Sequence, residues 1–360
     1  MTTFSIPAFR PMPLAELLDQ AIHLYRRNFV TFVGIIAIPY IPLAVVQAAL
    51  ALFATDSLTR IASDSSSFQN YLGPILGSAG VAVTFVIQFF LIQGIATAAL
   101  TRAIADSYSG KHVDIISSYK DLRGQWGRLI LALLLIFLIM AGLLIWMVIP
   151  CIGWLTGPGV LAFVGGVVTP LIAPVVVLEN NGVRESLRRA WDLARSRFWW
   201  LVGFAFILYL FNQLVIGGPS LLLHYLLTIL LPDTGSFNQQ LILTTAIQTL
   251  VSMVTSLIYL PLQLSALTVV YFDLRARSEG LDLVMQTANV SSLDANAVVS
   301  LPEVSQIIDA PKIQSPFITG RDIGYFSLMT MAAIALYILV VSVLAALMMA
   351  AGGLLGGSGF

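Results

Sequence analysis

Between Arg128 and Glu179 the chain runs for 50 residues without a charged side chain. As one helix that stretch would be about 75 Å long, more than twice the roughly 30 Å hydrocarbon core of a bilayer. It must therefore fold back on itself. The segment Pro150-Cys151-Ile152-Gly153-Trp154-Leu155-Thr156-Gly157-Pro158-Gly159 supplies the turn, because prolines and glycines at that density stop helices.

The same reading applies to the other charge-free intervals, which open after Arg27, Asp64, Arg197, Asp233 and Asp322. They predict seven membrane spans near Phe29 to Ala54, Ile75 to Ile104, Leu129 to Ile149, Val160 to Leu178, Phe198 to Ile216, Leu241 to Phe272 and Gly324 to Ala351. Composition agrees: 58% of residues are hydrophobic and 10% charged, against about 25% charged in a soluble domain. The apolar stretch Ser220 to Leu231 is short for a crossing and reads as re-entrant or interfacial. The first residues lack the apolar core and cleavage site of a secretory signal, so the amino terminus is expected to be retained.

Cytoplasmic loops retain Lys and Arg, and with the amino terminus inside, 17 of the 18 basic residues fall on the cytoplasmic side, Arg60 alone outside. The expected location is a bacterial inner membrane, with the carboxyl terminus external. The zero net charge offers nothing to a nucleic-acid partner.

Three odd-numbered spans are preceded by a similar pattern. The stretch from Ala190 to Phe198 aligns without gaps over Ala21 to Phe29, and Ser118 to Trp126 keeps Tyr119, Leu122, Arg123 and Trp126 as a skeleton. Gly110 precedes Arg123 by 13 residues, and Gly182 precedes Arg195 by the same 13. These spacings predict an all-α, polytopic transmembrane bundle built as a threefold repeat. Each unit is an interfacial amphipathic helix followed by a two-span hairpin, and a seventh span is appended.

Residues 1–280 form the six-span domain, with repeats at about 13–110, 111–182 and 183–280. Residues 281–322 read as a polar cytoplasmic linker, helical at Leu281 to Ala288, and 323–360 as the last span with a short external tail. The sequon at Asn289 is silent on that side of the membrane. The last span carries Ser342, Ala346 and Ala350 four apart, a stripe suited to close helix packing.

In each repeat the apolar face is expected to meet lipid tails while Arg reaches the phosphates and an aromatic sits at headgroup depth. The candidate anchors are Arg26 with Phe29, Arg123 with Trp126, and Arg195 with Phe198. Glu179 ends the fourth span, where a carboxylate opposes the helix dipole, so a cationic partner is expected among Arg184, Arg188 and Arg195. Cys151 is expected to be a packed apolar thiol.

Catalytic signatures are missing. His23, His112 and His224 have no ligand partners at helical spacing, and Gly110-Lys111 is followed by His112 where a phosphate loop needs Ser or Thr. No cofactor, metal or enzymatic activity is expected. The predicted spans hold no ionisable residue, only amides such as Gln47, Gln88, Gln93, Asn212, Gln213, Gln248 and Gln263, which either join helices or line a polar path. Pro39, Pro42, Pro170, Pro174 and Pro261 are expected to break their spans.

The run Val175-Val176-Val177-Leu178-Glu179-Asn180-Asn181-Gly182, followed by Glu185-Ser186-Leu187-Arg188-Arg189-Ala190-Trp191-Asp192-Leu193, resembles a bacterial membrane family. So does Tyr271-Phe272-Asp273-Leu274-Arg275-Ala276-Arg277-Ser278-Glu279-Gly280-Leu281-Asp282-Leu283. That family is the membrane domain found ahead of some glycerophosphoryl diester phosphodiesterases and also as a stand-alone protein. The likeness covers roughly Pro13 to Leu283. It implies a six-helix membrane domain with interfacial helices and no established catalysis. The phosphodiesterase itself is a separate barrel whose signature includes a His-Arg pair, and here the three histidines precede Leu24, Val113 and Tyr225. The seventh span and the tail depart from the six-helix pattern.

These readings lead to a non-catalytic membrane module that organises lipid, through anionic headgroups at the cytoplasmic face, or holds a partner protein. A permease or transporter component is the alternative, on the prolines and amides within the spans.

Overall fold

The computed structural model describes residues 12–63, 68–108, 113–179, 181–230, 237–279 and 318–356. Every regular element among them is a helix. The first stretch comprises α1 (Leu14–Arg27), α2 (Phe29–Ser63), α3 (Phe68–Gln88), α4 (Thr97–Tyr108) and α5 (Ile115–Lys120). Then follow α6 (Trp126–Trp146), α7 (Ile152–Phe163), α8 (Thr169–Glu179), α9 (Val183–Ser196) and α10 (Phe198–Asn212). The last are α11 (Gly218–Leu230), α12 (Phe237–Glu279) and α13 (Gly320–Gly356).

Among the described residues, seven helices are long and apolar enough to cross a membrane: Phe29–Ser57, Tyr71–Ser107, Trp126–Trp146, Ile152–Glu179, Phe198–Leu227, Leu241–Ser278 and Gly320–Leu339. A helix that is apolar all round has no aqueous face, so lipid and other helices are its only favourable surroundings. The chain is a multi-pass membrane protein by this architecture.

The chain divides into two compact units, one of Met1–Leu134 with Val167–Ala310 and one of Leu135–Gly166 with Pro311–Phe360. In the first, the core lies where α4, α8 and the later half of α12 meet. Every residue of α8 from Thr169 to Leu178 is buried, as are Ala98 to Leu100, Ala103 and Ile104 on α4, and Leu264 to Leu274 on α12. Thr101 and Thr268 face each other across this core, their hydroxyl oxygens 3.5 Å apart. Within α12 the change is abrupt, since Leu241 to Ile258 includes no buried side chain.

Three short helices dock on these buried segments: α1 on α12, α5 on α4 and α9 on α8. Helices α1 and α9 are alike in detail. Both have 14 residues, and their N-caps Pro13 (φ −67°, ψ 160°) and Gly182 (φ −64°, ψ 161°) share one extended conformation. Their apolar faces meet protein, not lipid as expected, with Leu17, Ala21, Leu24 and Tyr25 buried on one and Leu187, Ala190, Trp191, Leu193 and Ala194 on the other. The middle counterpart is reduced to the 6-residue α5, which Asp114 caps through Ser117 N before a turn at 121–125.

Several expectations change. The stretch from Ser220 is not a separate segment: α11 continues the fifth candidate span from α10 through a π-helical turn at Gln213–Gly217. Prolines do not interrupt the spans, since Pro39, Pro42, Pro74, Pro158, Pro174 and Pro261 all lie inside helices. The irregular turns are π-helical instead, at Phe89–Ala96, Val164–Val168 and Gln213–Gly217. Pro170 follows the second of these, where its missing N–H falls at the step from π to α geometry.

Helices α2 and α3 also meet at a close-approach face. On α3, a Cβ at Gly73, Gly77 or Gly80 would lie 2.6, 2.9 and 2.9 Å from Ser57, Ala54 and Leu50 of α2, so the absence of side chains sets this helix spacing.

In the second unit the turn between spans three and four is shorter than expected, occupying 147–151 with α7 resuming at Ile152. Gly153 and Gly157 are helical, and they serve close contact: a Cβ at Gly153 would strike the Trp146 carbonyl, and one at Gly157 the Met147 side chain. Cys151 is exposed at the tip, not packed, with φ 64° and ψ −69°. Helix α13 packs on α7, where Gly159 N donates to Thr330 Oγ1 at 2.9 Å and Phe163 meets Phe326 with ring centroids 5.6 Å apart. It begins at Gly320, earlier than expected, because Thr319 donates through N and Oγ1 to Asp322 Oδ2 at 2.8 and 2.6 Å and starts the helix there.

The side chains of Arg60, His224, Ala346 and Ala350 lie outside the described residues. So do His112, Lys111, the glycines at 110 and 280, and most of the predicted linker, with its helix from Leu281 and its sequon at Asn289.

Candidate functional site

In the first unit, clusters of charged side chains form where the even-numbered spans end. Glu179 is the centre of the largest cluster. Tyr271, wholly buried on α12, donates its hydroxyl to Glu179 Oε1 at 2.8 Å. Arg275, one turn further, brings Nε to 3.8 Å from the same oxygen. From α9, Arg189 Nε donates to Oε2 at 3.2 Å, and Asn181 Nδ2 donates to Oε2 at 3.1 Å. The carboxylate is thus shared by the fourth span, the sixth span and α9.

A cation was expected beside Glu179, but among Arg184, Arg188 and Arg195. The partners found are Arg189 and Arg275. The reason is helical facing: Arg188 lies beside Asp192, one turn on, at 3.9 Å, while Arg189 turns back towards α8. Burial pushes the Asp192 carboxyl above its ordinary range, opposed by Arg188, Arg195 and Arg189.

Two further clusters repeat the motif of a span end tied to a neighbouring segment. Arg102 on α4 lies 3.5 Å from Asp106 and 3.6 Å from Asp121, in the turn after α5. Asp273, with its side chain fully buried on α12, accepts from Met12 N at 2.9 Å and pairs with Arg277 at 2.9 Å, while Arg277 Nη2 donates to Met12 O at 2.7 Å. The chain just before α1 is therefore clamped to the end of the sixth span. Two tyrosines add hydrogen bonds between segments: Tyr25 to Ile258 O at 2.7 Å and Tyr119 to Ile35 O at 2.6 Å. Burial raises both phenols to about 12.

The predicted anchors divide. Arg26, Phe29, Arg123 and Trp126 are exposed, as headgroup contact requires. In the third repeat Arg195 is half-buried and Phe198 is buried at 6%, so Phe198 is a core residue and not an anchor. The exposed aromatic there is Trp199, and Arg197 stacks over the Trp200 ring at 4.9 Å. The link does not account for the difference, since one residue separates α9 from α10 and likewise α1 from α2, where Phe29 is exposed.

Of the amides, Gln47 donates to Gln88 at 2.8 Å, joining α2 to α3. His23 is exposed on α1. Among the described residues no group of three His, Cys, Asp or Glu could hold a metal ion. No family model, curated protein or solved structure matches the chain.

Proposed function

We propose that this is a non-catalytic module of the bacterial inner membrane that holds anionic lipid headgroups at its charged face, with the amino terminus cytoplasmic. The observation that carries the reading is the exposure of Arg26 and Arg123, each three residues before an exposed aromatic, Phe29 or Trp126, at the starts of the first and third spans, together with exposed Arg184 on α9 and exposed Trp199 at the start of the fifth. Guanidinium groups next to aromatics at the end of an apolar helix match a phosphate layer above acyl chains. A partner protein could use the same face, through acidic groups in place of phosphates.

The threefold repeat belongs to this reading and is supported by how the short helices dock. Helix α9 sits on α8 and α5 on α4, each on the span that precedes it, and α1 closes the ring by sitting on α12, the last of the six. The resemblance to the membrane domain of glycerophosphoryl diester phosphodiesterases fits a lipid-facing role and remains part of the proposal.

The test is native mass spectrometry after extraction from bilayers of equal phosphatidylglycerol and phosphatidylcholine with matched chains. Preferential retention of phosphatidylglycerol, reduced in an R26Q/R123Q/R184Q variant, is the expected result. Equal retention of both lipids would remove the proposal.

A permease remains the second reading, favoured by the contrast along α12 between an unburied first half and a buried second half. Solute fluxes identical in vesicles with and without the protein, across a broad panel, would dismiss it.

A further inference from the structure

The turn between spans three and four, at 147–151, closes its own backbone. The N–H groups of Met147, Val148, Ile149, Ile152, Gly153 and Leu155 all donate to carbonyls from Leu143 to Cys151, at 2.8 to 3.1 Å, and Pro150 has no N–H to place. The polar side chains beside it are closed as well, since Trp146 Nε1 donates to Thr156 Oγ1 at 3.2 Å and Thr156 Oγ1 donates to Ile152 O at 2.7 Å. A turn standing in water can leave such groups to the solvent, whereas one in hydrocarbon has to satisfy them internally.

What the turn presents outwards is apolar. Ile145, Val148 and Trp154 are 73%, 77% and 62% exposed, with Ile149 and Ile152 exposed beside them. These side chains continue the apolar flanks of the two spans over the end of the hairpin, with no charged residue between Arg128 and Glu179 to interrupt them.

Helix α13 measures the depth of the turn, because it runs antiparallel to α7 within the same unit: Gly159 meets Thr330, and Phe163 meets Phe326. No charged residue follows Asp322 in the sequence, so Asp322 marks one boundary of this span. Thr330 lies eight residues on, about 12 Å, and Cys151 lies eight residues from Gly159 towards the turn, about 12 Å further. The turn thus stands about 24 Å from that boundary, inside a hydrocarbon core of about 30 Å. Tilt shortens the projection and leaves the turn deeper still. Beside it, at the level of Ile338, α13 continues as a helix for another 18 residues to Gly356 without a charge. A neighbour that stays apolar so far past the turn places acyl chains around it.

We propose that the turn is a lipid-immersed tip, an interaction surface formed by Ile145, Val148, Ile149, Ile152 and Trp154 for the acyl chains of the leaflet opposite Asp322. Hairpin α6–α7 then ends within that leaflet and does not emerge from it as a loop. The idea is independent of the headgroup reading, which concerns the charged starts of the spans.

The chain holds a single cysteine, Cys151, so the natural sequence carries one probe site at the turn. A nitroxide is attached to it in detergent, the full chain is reconstituted in vesicles of phosphatidylcholine and phosphatidylglycerol, and relaxation of the label by molecular oxygen and by a water-soluble nickel chelate present on both sides is measured. A K120C/C151S chain gives the aqueous reference, since Lys120 is exposed at the end of α5. The oxygen-to-chelate ratio at Cys151 is expected to be at least about tenfold above the reference, because placing a polar chelate in apolar surroundings costs more than the 1.4 kcal/mol that corresponds to tenfold. Strong relaxation by the chelate would put the turn in water and overturn the proposal. Weak relaxation by both agents would mean that protein, such as a second copy, covers the tip, and would overturn it too. Without a label, a charged maleimide should leave Cys151 unmodified in the same vesicles and modify it once dodecyl sulfate is added. Modification before that addition would also count against the immersed tip.

Discussion

Tyr271 of the sixth span donates a 2.8 Å hydrogen bond to Glu179 at the end of the fourth. Two residues 92 apart thus meet at an almost fully buried carboxylate, and the pair ties two spans of the central core to α9 through Arg189. Removing one member of such a group leaves the others buried and unsatisfied, which costs more than the group contributes as a whole.

Glu179→Gln is therefore expected to lower stability by about 2 kcal/mol, a figure discounted from fully buried pairs because Arg189 is partly exposed. Tyr271→Phe should cost about 1 kcal/mol. The double variant should lose less than the sum of the singles, since both act on one network. Thermal melts in detergent decide the matter, and additive effects would mean that the residues do not share a network.

What was legible in the sequence follows from what charges can and cannot do in a bilayer. Arg27, Arg128, Arg197 and Glu179 bound spans because ionised groups stay at the boundary, and seven helices of the right character lie between such marks. The end of the fifth span was hidden, because Ser220 to Leu231 is too short to cross by itself, whereas the π turn at Gln213–Gly217 carries the helix onward into α11. The need of Glu179 for a cation was readable from its place at a helix carboxyl end. Arg275 was not, because it lies on another span and only tertiary packing brings it near. The spacing of Gly73 and Gly77 is a helix-packing signal that the sequence did contain.

The clamp on Met12 gives a second prediction. Asp273→Asn keeps an acceptor for Met12 N but removes the charge that orients Arg277, whose other bond holds Met12 O. Helix α1 should then undock more often. Hydrogen exchange across Leu14–Arg27 is expected to quicken about tenfold, equivalent to about 1.4 kcal/mol of lost protection. Unchanged exchange in α1, with the rest of the protein intact, would show that its apolar face alone holds it.

Alkaline pH tests the buried phenols. Tyr25 and Tyr119 each have a folded-state value of about 12 against 10.0 for a free tyrosine, so the folded form keeps protons that the unfolded form releases. Stability is then fully present below pH 10 and falls as pH rises from 10 towards 12. The melting temperature of the wild type should drop across that window, and more steeply than that of a Y25F/Y119F variant. Parallel curves for the two proteins would contradict the burial of these hydroxyls.

The turn between spans three and four stores strain at one residue. Cys151 has φ 64° and ψ −69°, and Ile152 N donates to Pro150 O at 2.8 Å, which closes a three-residue turn around a non-glycine residue in a sparsely allowed region. Such a conformation costs on the order of 1 to 3 kcal/mol, and glycine adopts it with little strain. Cys151→Gly should raise stability by about 1 kcal/mol after the greater freedom of unfolded glycine is subtracted. Cys151→Val should lower it, because a β-branched side chain crowds the backbone most at positive φ. The thiol is exposed, so neither change removes a packed group, and backbone geometry alone ranks the three proteins as Gly above Cys above Val in melting temperature. If all three melt together, the turn does not hold the conformation described.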